Sequence, residues 1–245
     1  MSGLSKNKIK WIRSLQLKKN RDDLGLFLLE GEKMVVEALR DFPDLIEEVY
    51  STCELNIANF SKKVEPISDA ELTQISSLKT PNKCIAVLRK LKNSSDEQPK
   101  GLILALDGIQ DPGNMGTILR TADWFGIHTV VCSEDTADIY NPKVIQASMG
   151  SILRMNVIYT SLERYFASFE LPIYGALLEG ENVYGKSLLK EGVLIMGNEG
   201  RGIRPSVKSM ITAPIHIPGF GKAESLNVAV ATGILLSEFS RIDGN

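Results

Sequence analysis

IPGFGKAESLNVAVATGILLSEF, residues 217–239, is the stretch that decides the fold predicted from the sequence. A proline and two glycines open it, so the backbone there should form a tight loop. Ser225 stands just ahead of an apolar run, in the position typical of a helix N-cap. Leu226, Val230 and Ile234 follow at helical spacing. The stretch therefore predicts a buried C-terminal helix that begins at a loop.

Short apolar runs precede this helix and alternate with mostly helical stretches. The runs are 102–106, 129–132, 156–159, 173–178, 193–196 and 213–217. The first of them is apolar throughout, as in a strand buried on both faces of a parallel sheet. The alternation predicts an α/β fold in which a parallel sheet carries helices on both faces.

Residues 1–90 predict a smaller α/β domain. Apolar runs typical of strands alternate there with a helix at 32–40 and with another that Ser68 or Asp69 would cap. The runs are 25–30, 46–50, 64–67 and 84–88. No catalytic constellation appears among these residues, so binding is the expected role, with a purely structural cap as the alternative.

The first 21 residues concentrate basic charge. They hold seven lysines and arginines and no acidic residue, although the whole chain has a net charge of −2. The basic residues are Lys6, Lys8, Lys10, Arg13, Lys18, Lys19 and Arg21. Apolar residues recur among them at Ile9, Ile12, Leu15 and Leu17. This pattern predicts a basic amphipathic helix able to hold a nucleic-acid backbone, although a solvated helix face would give the same pattern.

A polar segment separates the two parts of the chain. Residues 91–100 are polar and charged and end near a proline, which is typical of a linker. The length of 245 residues suits two modest domains. The predicted domains are therefore 1–90 and 101–245.

Several functional classes are disfavoured by missing motifs. The sequence has no GxGxxG and no GxxxxGK[ST] motif, which disfavours a nicotinamide dehydrogenase and an NTPase. The cysteines Cys53, Cys84 and Cys132 form no CxxC pair, and His128 and His216 lie in or beside strand-like runs. We therefore expect no metal site, no disulfide framework and a cytoplasmic location. No run has the length of a membrane span, and no apolar signal region follows the basic N-terminus.

Three glycine-containing loops follow predicted strands of the second domain, where parallel sheets bind ligands. They are DGIQDPGNMGTILRT at 107–121, GNEGRG at 197–202 and the opening loop at 217–227. Their polar side chains suit hydroxyl and phosphate groups but include no obvious nucleophile–base pair. The candidate residues are Asn114, Arg120, Glu199, Ser225 and Asn227.

In this order, the three loops resemble the signature motifs of the SpoU family of RNA ribose methyltransferases. The matching segments are NMGTILRTA at 114–122, MGNEGRGI at 196–203 and IPGFGKAESLNVAVA at 217–231. FLLEGEKMVVEAL at 27–39, after a basic helix, resembles the small RNA-binding domain that many members carry. That domain is like a ribosomal protein in fold.

The resemblance implies a knotted fold, a cofactor and an assembly. In the family, the C-terminal part of the sheet forms a deep trefoil knot, an exception to the usual unknotted topology. Members are homodimers whose active site lies near the dimer interface. S-adenosylmethionine binds in the knot, largely through main-chain groups. The implied cofactor residues are Gly197, Ile217, Leu226, Ala176, Leu177 and Leu178.

The reaction implied by the resemblance is methyl transfer to a ribose 2′-hydroxyl of RNA, with Arg120 in the central role. Deprotonating a guanidinium at pH 7, far below the pKa of this group, costs on the order of 7 kcal/mol. We therefore expect Arg120 to orient the ribose or phosphate and to stabilise the emerging alkoxide. Asn114 and Asn227 would hold the loops or the nucleotide. Glu199 would fix Arg120 or a neighbouring N–H, and Ser225 would cap the helix and contact substrate.

Other interpretations stay open at this stage. A catalytically silent RNA-binding or ribosome-assembly protein could keep the knotted fold. Methyltransferases acting on transfer-RNA ribose or on a base nitrogen use the same fold. The RNA-binding domain favours large-subunit ribosomal RNA as the partner, while the nucleotide cannot be read from the sequence.

Overall fold

The computed structural model describes residues 3–55, 64–92 and 101–241. Its helices are α1 (Lys6–Ser14), α2 (Lys18–Leu24), α3 (Glu32–Asp41), α4 (Asp69–Ile75), α5 (Pro112–Trp124), α6 (Pro142–Ser148), α7 (Leu162–Phe166), α8 (Pro205–Lys208) and α9 (Val228–Ser240). Its strands are β1 (Leu26–Glu30), β2 (Ile46–Ser51), β3 (Val64–Pro66), β4 (Cys84–Arg89), β5 (Leu102–Asp107), β6 (Thr129–Cys132), β7 (Asn156–Tyr159), β8 (Ile173–Asn182), β9 (Gly192–Gly197) and β10 (Ala213–His216). Each predicted strand is present, and the α/β class is confirmed.

The chain forms two compact units. The first comprises residues 1–92 together with 138–153, and the second comprises 93–137 together with 154–245. α6 therefore groups with the first unit, although it lies within the predicted second domain, 101–245. The domain limits of 1–90 and 101–245 stay a prediction. Most of the predicted linker, 91–100, lies outside the described residues.

The first unit is built on a four-stranded sheet in the order β1–β4–β2–β3. β4 runs antiparallel to both of its neighbours, and β2 and β3 run parallel. The predicted cap of α4 is Ser68: its hydroxyl accepts from the Glu71 N–H, and the Glu71 carboxylate accepts from the Ser68 N–H over 2.8 Å. This reciprocal pairing starts the helix where the sequence predicts it.

The basic segment forms two helices, α1 and α2, where one was predicted. Asn20 donates to the Ser14 carbonyl over 2.9 Å, and Arg21 donates to the Gln16 carbonyl over 2.8 Å. These bonds satisfy carbonyls at the end of α1, so the chain can turn there. Leu17 precedes α2 and is 63% exposed, so the predicted apolar stripe ends before it.

Arg21 is not the phosphate-binding residue that was predicted. It is 2% exposed. Its guanidinium donates to the Leu15 and Gln16 carbonyls, and to Asp138 Oδ2 over 2.7 Å. Arg21 therefore holds the α1–α2 turn against the segment that contains α6. The remaining predicted cations keep their heads at the surface, and Lys8 among them pairs with Glu48 over 2.6 Å.

Replacement of Arg21 should be far more destabilising than replacement of a neighbouring cation. Arg21→Ala should lower the free energy of unfolding by about 3–5 kcal/mol, because Asp138 would keep a poorly solvated charge without its partner. Lys19→Ala removes an exposed charge and should change it by less than about 0.5 kcal/mol. Urea unfolding followed by circular dichroism measures both. Equal, small changes would contradict the buried placement of Arg21.

The second unit contains a six-stranded sheet in the order β10–β8–β9–β5–β6–β7, and each neighbouring pair is parallel. On one face, Leu162 of α7 and Val207 of α8 pack with Ile103 and Ile195 of the sheet. On the other, α5 and α9 pack against each other and α9 lies against β9. The prediction of a parallel sheet with helices on both faces is confirmed.

β8 is longer than predicted and irregular in its second half. Its pairing with β10 jumps from Gly175 to Glu181, although the partners on β10, Pro214 and Ile215, are consecutive. Gly180 lies so close to β10 that an added Cβ would approach the Ile215 carbonyl carbon to 2.5 Å. The trefoil knot stays a prediction, because strand order does not define how the chain is threaded. None of the described helices has the length and apolar character of a membrane span.

Candidate active site

α5 begins earlier than predicted, which fixes Asn114 on a helix. Asp111 is the N-cap: its side chain accepts from the Asn114 N–H over 2.7 Å. Pro112 occupies the first helical position, where its missing N–H and fixed φ suit a helix start. Residues 112–116, predicted as part of a loop, are therefore the first turns of α5, and Asn114 has a defined direction.

α9 is capped by Asn227 and not by Ser225. Asn227 Oδ1 accepts from the N–H groups of Ala229, over 2.9 Å, and Val230, over 3.3 Å. Ser225 lies two residues upstream, exposed and without a capping bond. Asparagine is at least as good an N-cap as serine. The residue type therefore does not choose between them, and the point at which α9 begins does.

The buried face of α9 also differs from the prediction. Leu226 and Val230 are 49% and 53% exposed. The buried residues of the helix are Val228, Ala229, Thr232, Leu235, Leu236 and Phe239. Because α9 carries apolar residues on all its faces, their spacing in the sequence could not identify the face that is buried.

A chain of side-chain hydrogen bonds joins the three predicted loops. Asn227 Nδ2 donates to Asn114 Oδ1 over 2.9 Å, and Asn114 Nδ2 donates to Glu199 Oε1 over 2.9 Å. Each residue belongs to a different motif, so the three motifs meet at one site through Asn114. The geometry therefore brings Asn114, Glu199 and Asn227 side by side, while their roles in binding and catalysis stay predictions.

The cap of α9 sets the direction of these bonds. Because Asn227 Oδ1 accepts the two backbone N–H groups, only its NH₂ group is left for Asn114. The Asn114 oxygen must then accept, and its own NH₂ group faces Glu199. The carboxylate is the natural end of the chain because an ionised carboxylate only accepts.

Asn198 and Arg204 hold the second motif against the end of β5. Asn198 Nδ2 donates to the Gly108 carbonyl over 2.6 Å. Arg204 donates to the buried Asp107 carboxylate from its backbone N–H, over 2.7 Å, and from Nε, over 2.6 Å. The Asp107 carboxylate raises the pKa of Arg204 above its ordinary value. None of these residues was among the predicted site residues, although a carboxylate that ends a buried strand requires a partner.

Arg120 stands apart from this network. Its side chain is exposed and forms no hydrogen bond or ion pair with the described residues. Glu199 accepts from Asn114 and, over 3.4 Å, from Asn198. Of the two contacts predicted for Glu199, the one with a neighbouring N–H is therefore present, and the one with Arg120 is absent among the described residues. Arg120 lies six positions after Asn114, which is about 240° around a helix of 3.6 residues per turn. The Arg120 guanidinium therefore leaves α5 in a different direction from Asn114 and can contact a ligand there.

The predicted cofactor residues of β8 lie in its irregular part. Residues 176–180 pair with neither β9 nor β10. Leu178 is 76% exposed, whereas Leu177 packs partly buried against the core beside α7. The side chain of Leu177 is therefore directed to the core, and only its backbone could serve a ligand. Unpaired backbone groups beside an exposed leucine suit an adenosyl group, which has polar edges and apolar faces.

The other predicted cofactor residues follow β9 and β10. Gly197 ends β9, and an added Cβ would lie 2.4 Å from the Gly202 carbonyl carbon, so glycine is needed for the turn to close. Ile217 comes directly after β10, and Leu226 precedes α9. Since β8, β9 and β10 are parallel neighbours, their carboxyl ends share one edge of the sheet.

No group of three or more His, Cys, Asp or Glu in the described part of the chain could hold a metal ion. His128 is exposed. His216 lies with Nδ1 2.6 Å from the Gly180 carbonyl oxygen, where a protonated Nδ1 would donate a hydrogen bond. Both therefore fit the predicted structural role for the histidines.

A parallel sheet with polar, glycine-containing loops at the carboxyl ends of its strands defines an α/β enzyme that binds its ligand along that edge. Residues 101–237 match the model of the SpoU rRNA Methylase family, and residues 6–86 match an MRM3-like substrate binding domain. The chain belongs to the SpoU rRNA methylase family. It is an RNA 2′-O-methyltransferase of this class, and its methyl donor is S-adenosylmethionine.

Relatives support the match along almost the whole chain. The 23S rRNA (guanosine(2553)-2′-O)-methyltransferase RlmP of Bacillus subtilis is 32% identical over 94% of each chain. The structure of a TrmH-family protein from Porphyromonas gingivalis has a TM-score of 0.86 at 39% identity, covering 97% of this chain and 98% of that one. An AdoMet-bound rRNA methyltransferase from Sinorhizobium meliloti has a TM-score of 0.86 at 29% identity, with 98% and 96% covered.

Loss of the α9 cap should be measurable without any substrate. Asn227→Ala should lower the free energy of unfolding by about 1 kcal/mol, because two N–H groups lose their acceptor. Ser225→Ala is the matched control and should change it by less than about 0.5 kcal/mol. Chemical denaturation measures both values. A larger loss for Ser225→Ala would contradict the cap at Asn227.

Proposed function

We propose that this enzyme methylates one ribose 2′-hydroxyl of ribosomal RNA, in the large subunit, within the cytoplasm. The observation that carries the proposal is the hydrogen-bond chain from Glu199 through Asn114 to Asn227, which gathers the three family motifs at the sheet edge. The named relative RlmP acts on 23S rRNA, and the first unit matches a substrate-binding domain. The substrate named for RlmP supports ribosomal RNA over transfer RNA, and the domain match supports a role of the first unit in holding that substrate.

The proposed cofactor residues lie along the edge of β8, β9 and β10. Backbone groups of Ala176, Leu177 and Leu178 would bind the adenosyl part, together with those of Gly197, Ile217 and Leu226. The exposed side chains of Leu178 and Leu226 would cover its apolar faces. When bound there, S-adenosylmethionine supplies an electrophilic methyl group to the ribose oxygen.

The proposed role of Arg120 is electrostatic. Its unpaired guanidinium can donate several N–H groups to the phosphate and to the ribose oxygen while negative charge develops there. Glu199 is held at its place by Asn114, so its second oxygen can accept the 2′-hydroxyl proton or fix the ribose. Ser225, exposed and free of the cap, would contact the nucleotide.

Methyl transfer from labelled S-adenosylmethionine tests this function. Ribosomal RNA and, separately, transfer RNA from cells lacking the protein are incubated with the purified enzyme, and the labelled residue is mapped. Label on one ribose of large-subunit RNA is the expected result. Label on transfer RNA or on a base would overturn the proposed substrate or acceptor.

In the same assay, Arg120→Ala should lower kcat by about 10²–10³-fold, because charge at the transition state loses its donor. Arg120→Lys keeps the charge but loses the planar fork, so we expect a substantial part of that loss. Arg164→Lys, an exposed arginine on α7, is the control and should keep wild-type kcat. Wild-type kcat in Arg120→Lys would exclude a role that needs the guanidinium geometry.

We also propose that two copies pair through α5 and α9. Trp124 at the end of α5 is 84% exposed, and Leu226 and Val230 expose about half of their surface. Large exposed apolar side chains on and just before two helices that pack together are typical of an interface between proteins. A second copy would also bring an Arg120 towards this surface, near the site named above.

Val230→Glu should therefore convert the protein to a monomer. A charge placed in an apolar interface loses its hydration without gaining a partner. Light scattering after size exclusion measures the mass, and Leu189→Glu, at a leucine 54% exposed elsewhere in the second unit, is the matched control. A dimer in Val230→Glu, or a monomer in the wild type, would contradict this interface.

A further inference from the structure

A groove of about 590 Å³ opens in the first unit, beside α6. Its lining includes Gln16, Ser77, Leu78, Pro142, Lys143 and Gln146. They come from three separate parts of the chain: the α1–α2 turn, the segment that follows α4, and α6. We call this cavity the α6 groove. It lies outside every residue assigned above to catalysis or cofactor binding.

Hydrogen bonds to neighbouring carbonyl groups and to the Glu30 carboxylate hold the polar residues of the α6 groove in place. Gln146 Nε2 donates to the Glu30 carbonyl over 3.0 Å, and Gln16 Nε2 donates to the Ser76 carbonyl over 3.3 Å. The buried Glu30 carboxylate accepts from the Ser77 N–H, over 3.0 Å, and from its hydroxyl. Both glutamines therefore keep their amide oxygens available, in fixed positions, for a ligand.

The solvent-exposed charges at the α6 groove are lysines, while the Glu30 carboxylate lies buried behind Ser77. No carboxylate is among the lining residues. Lys143 is exposed, and its ammonium forms no hydrogen bond or ion pair with the described residues. Lys18 and Lys79 are exposed too, and each lies within two residues of a lining side chain. Such a surface attracts a polyanion.

We propose that the α6 groove binds an unpaired nucleotide of the RNA substrate. This rests on the proposed function. Lys143 would contact the phosphate, Gln16 and Gln146 would hydrogen-bond the base edge, and Leu78 and Pro142 would contact the base face. Recognition of splayed single-stranded bases through amides, together with cationic contacts to phosphate, is how sequence-specific RNA binding commonly works.

The combination of features favours RNA over an acidic peptide. A peptide carboxylate needs only cations, whereas the α6 groove offers two fixed amides and an apolar pair beside its cation. A base has hydrogen-bonding edges and apolar faces and arrives with its own phosphate. The volume of the cavity also exceeds what a single side chain fills.

Fluorescence anisotropy with a short labelled oligouridylate tests the α6 groove on the full chain. Lys143→Ala should weaken binding about tenfold and reduce the slope of log K against log salt by about 0.7, the value for one phosphate contact of a single strand. Gln146→Ala should weaken binding and leave that slope unchanged. Lys190→Ala, an exposed lysine of the second unit, is the control and should change neither.

Methyl transfer gives the second readout. Lys143→Ala should raise KM for RNA and leave kcat unchanged, since the lysine binds ground and transition states equally. Wild-type affinity, slope and KM in both groove variants would overturn the α6 groove while methylation stands. A wild-type enzyme that methylates no RNA would overturn the proposed function, and the anisotropy data would still decide on the groove. Equal competition by an RNA duplex or by oligoglutamate would overturn the preference for an unpaired nucleotide.

Discussion

The amide of Asn114 is the interaction on which the site depends. An amide has one accepting and one donating end, and both ends are committed: the oxygen to Asn227 and the nitrogen to Glu199. The direction of the chain originates in backbone chemistry, because the unpaired N–H groups at the start of α9 occupy the Asn227 oxygen. The cap at Asn227 thus orients the Glu199 carboxylate through Asn114, which bonds to both residues. Loops that meet in this way need no metal and no covalent link to stay aligned.

The irregular half of β8 is the corresponding constraint on the proposed cofactor site. In a regular parallel sheet, the N–H and C=O groups of a strand form hydrogen bonds with the neighbouring strands. Residues 176–180 leave the ladder, so a ligand recognised through the main chain has groups to bind there. Gly180 permits the close approach of β10 that ends the irregularity, and Gly197 permits the tight turn after β9. Backbone geometry, set by two glycines, therefore prepares a surface that side-chain motifs alone do not describe.

Local patterns predicted the strands well because apolar runs bounded by turn residues determine where a buried strand lies. They failed where the deciding partner is distant or where two residues compete. Arg21 looked like a phosphate ligand, yet its partner Asp138 is 117 residues away, and nothing near Arg21 indicates it. Ser225 and Asn227 are both good caps, and only tertiary packing of α9 selects the second. The same packing leaves Val230 exposed. The sequence could not predict this, because a helix that is apolar on all sides has no periodicity that marks its buried face.

A net charge of −2 limits how this enzyme can hold RNA. Long-range attraction is weak for such a protein and is screened beyond about 8 Å at physiological salt. Binding must then come from cations placed where phosphates lie, and burial of Arg21 removes one of them from the basic segment. Of the cations that remain exposed there, Lys18 lies two residues from Gln16 of the α6 groove, and Lys143 lines that groove from a different part of the chain. Because phosphate contacts position the RNA while base contacts specify it, substrate choice depends on the polar groups that accompany those cations more than on their number.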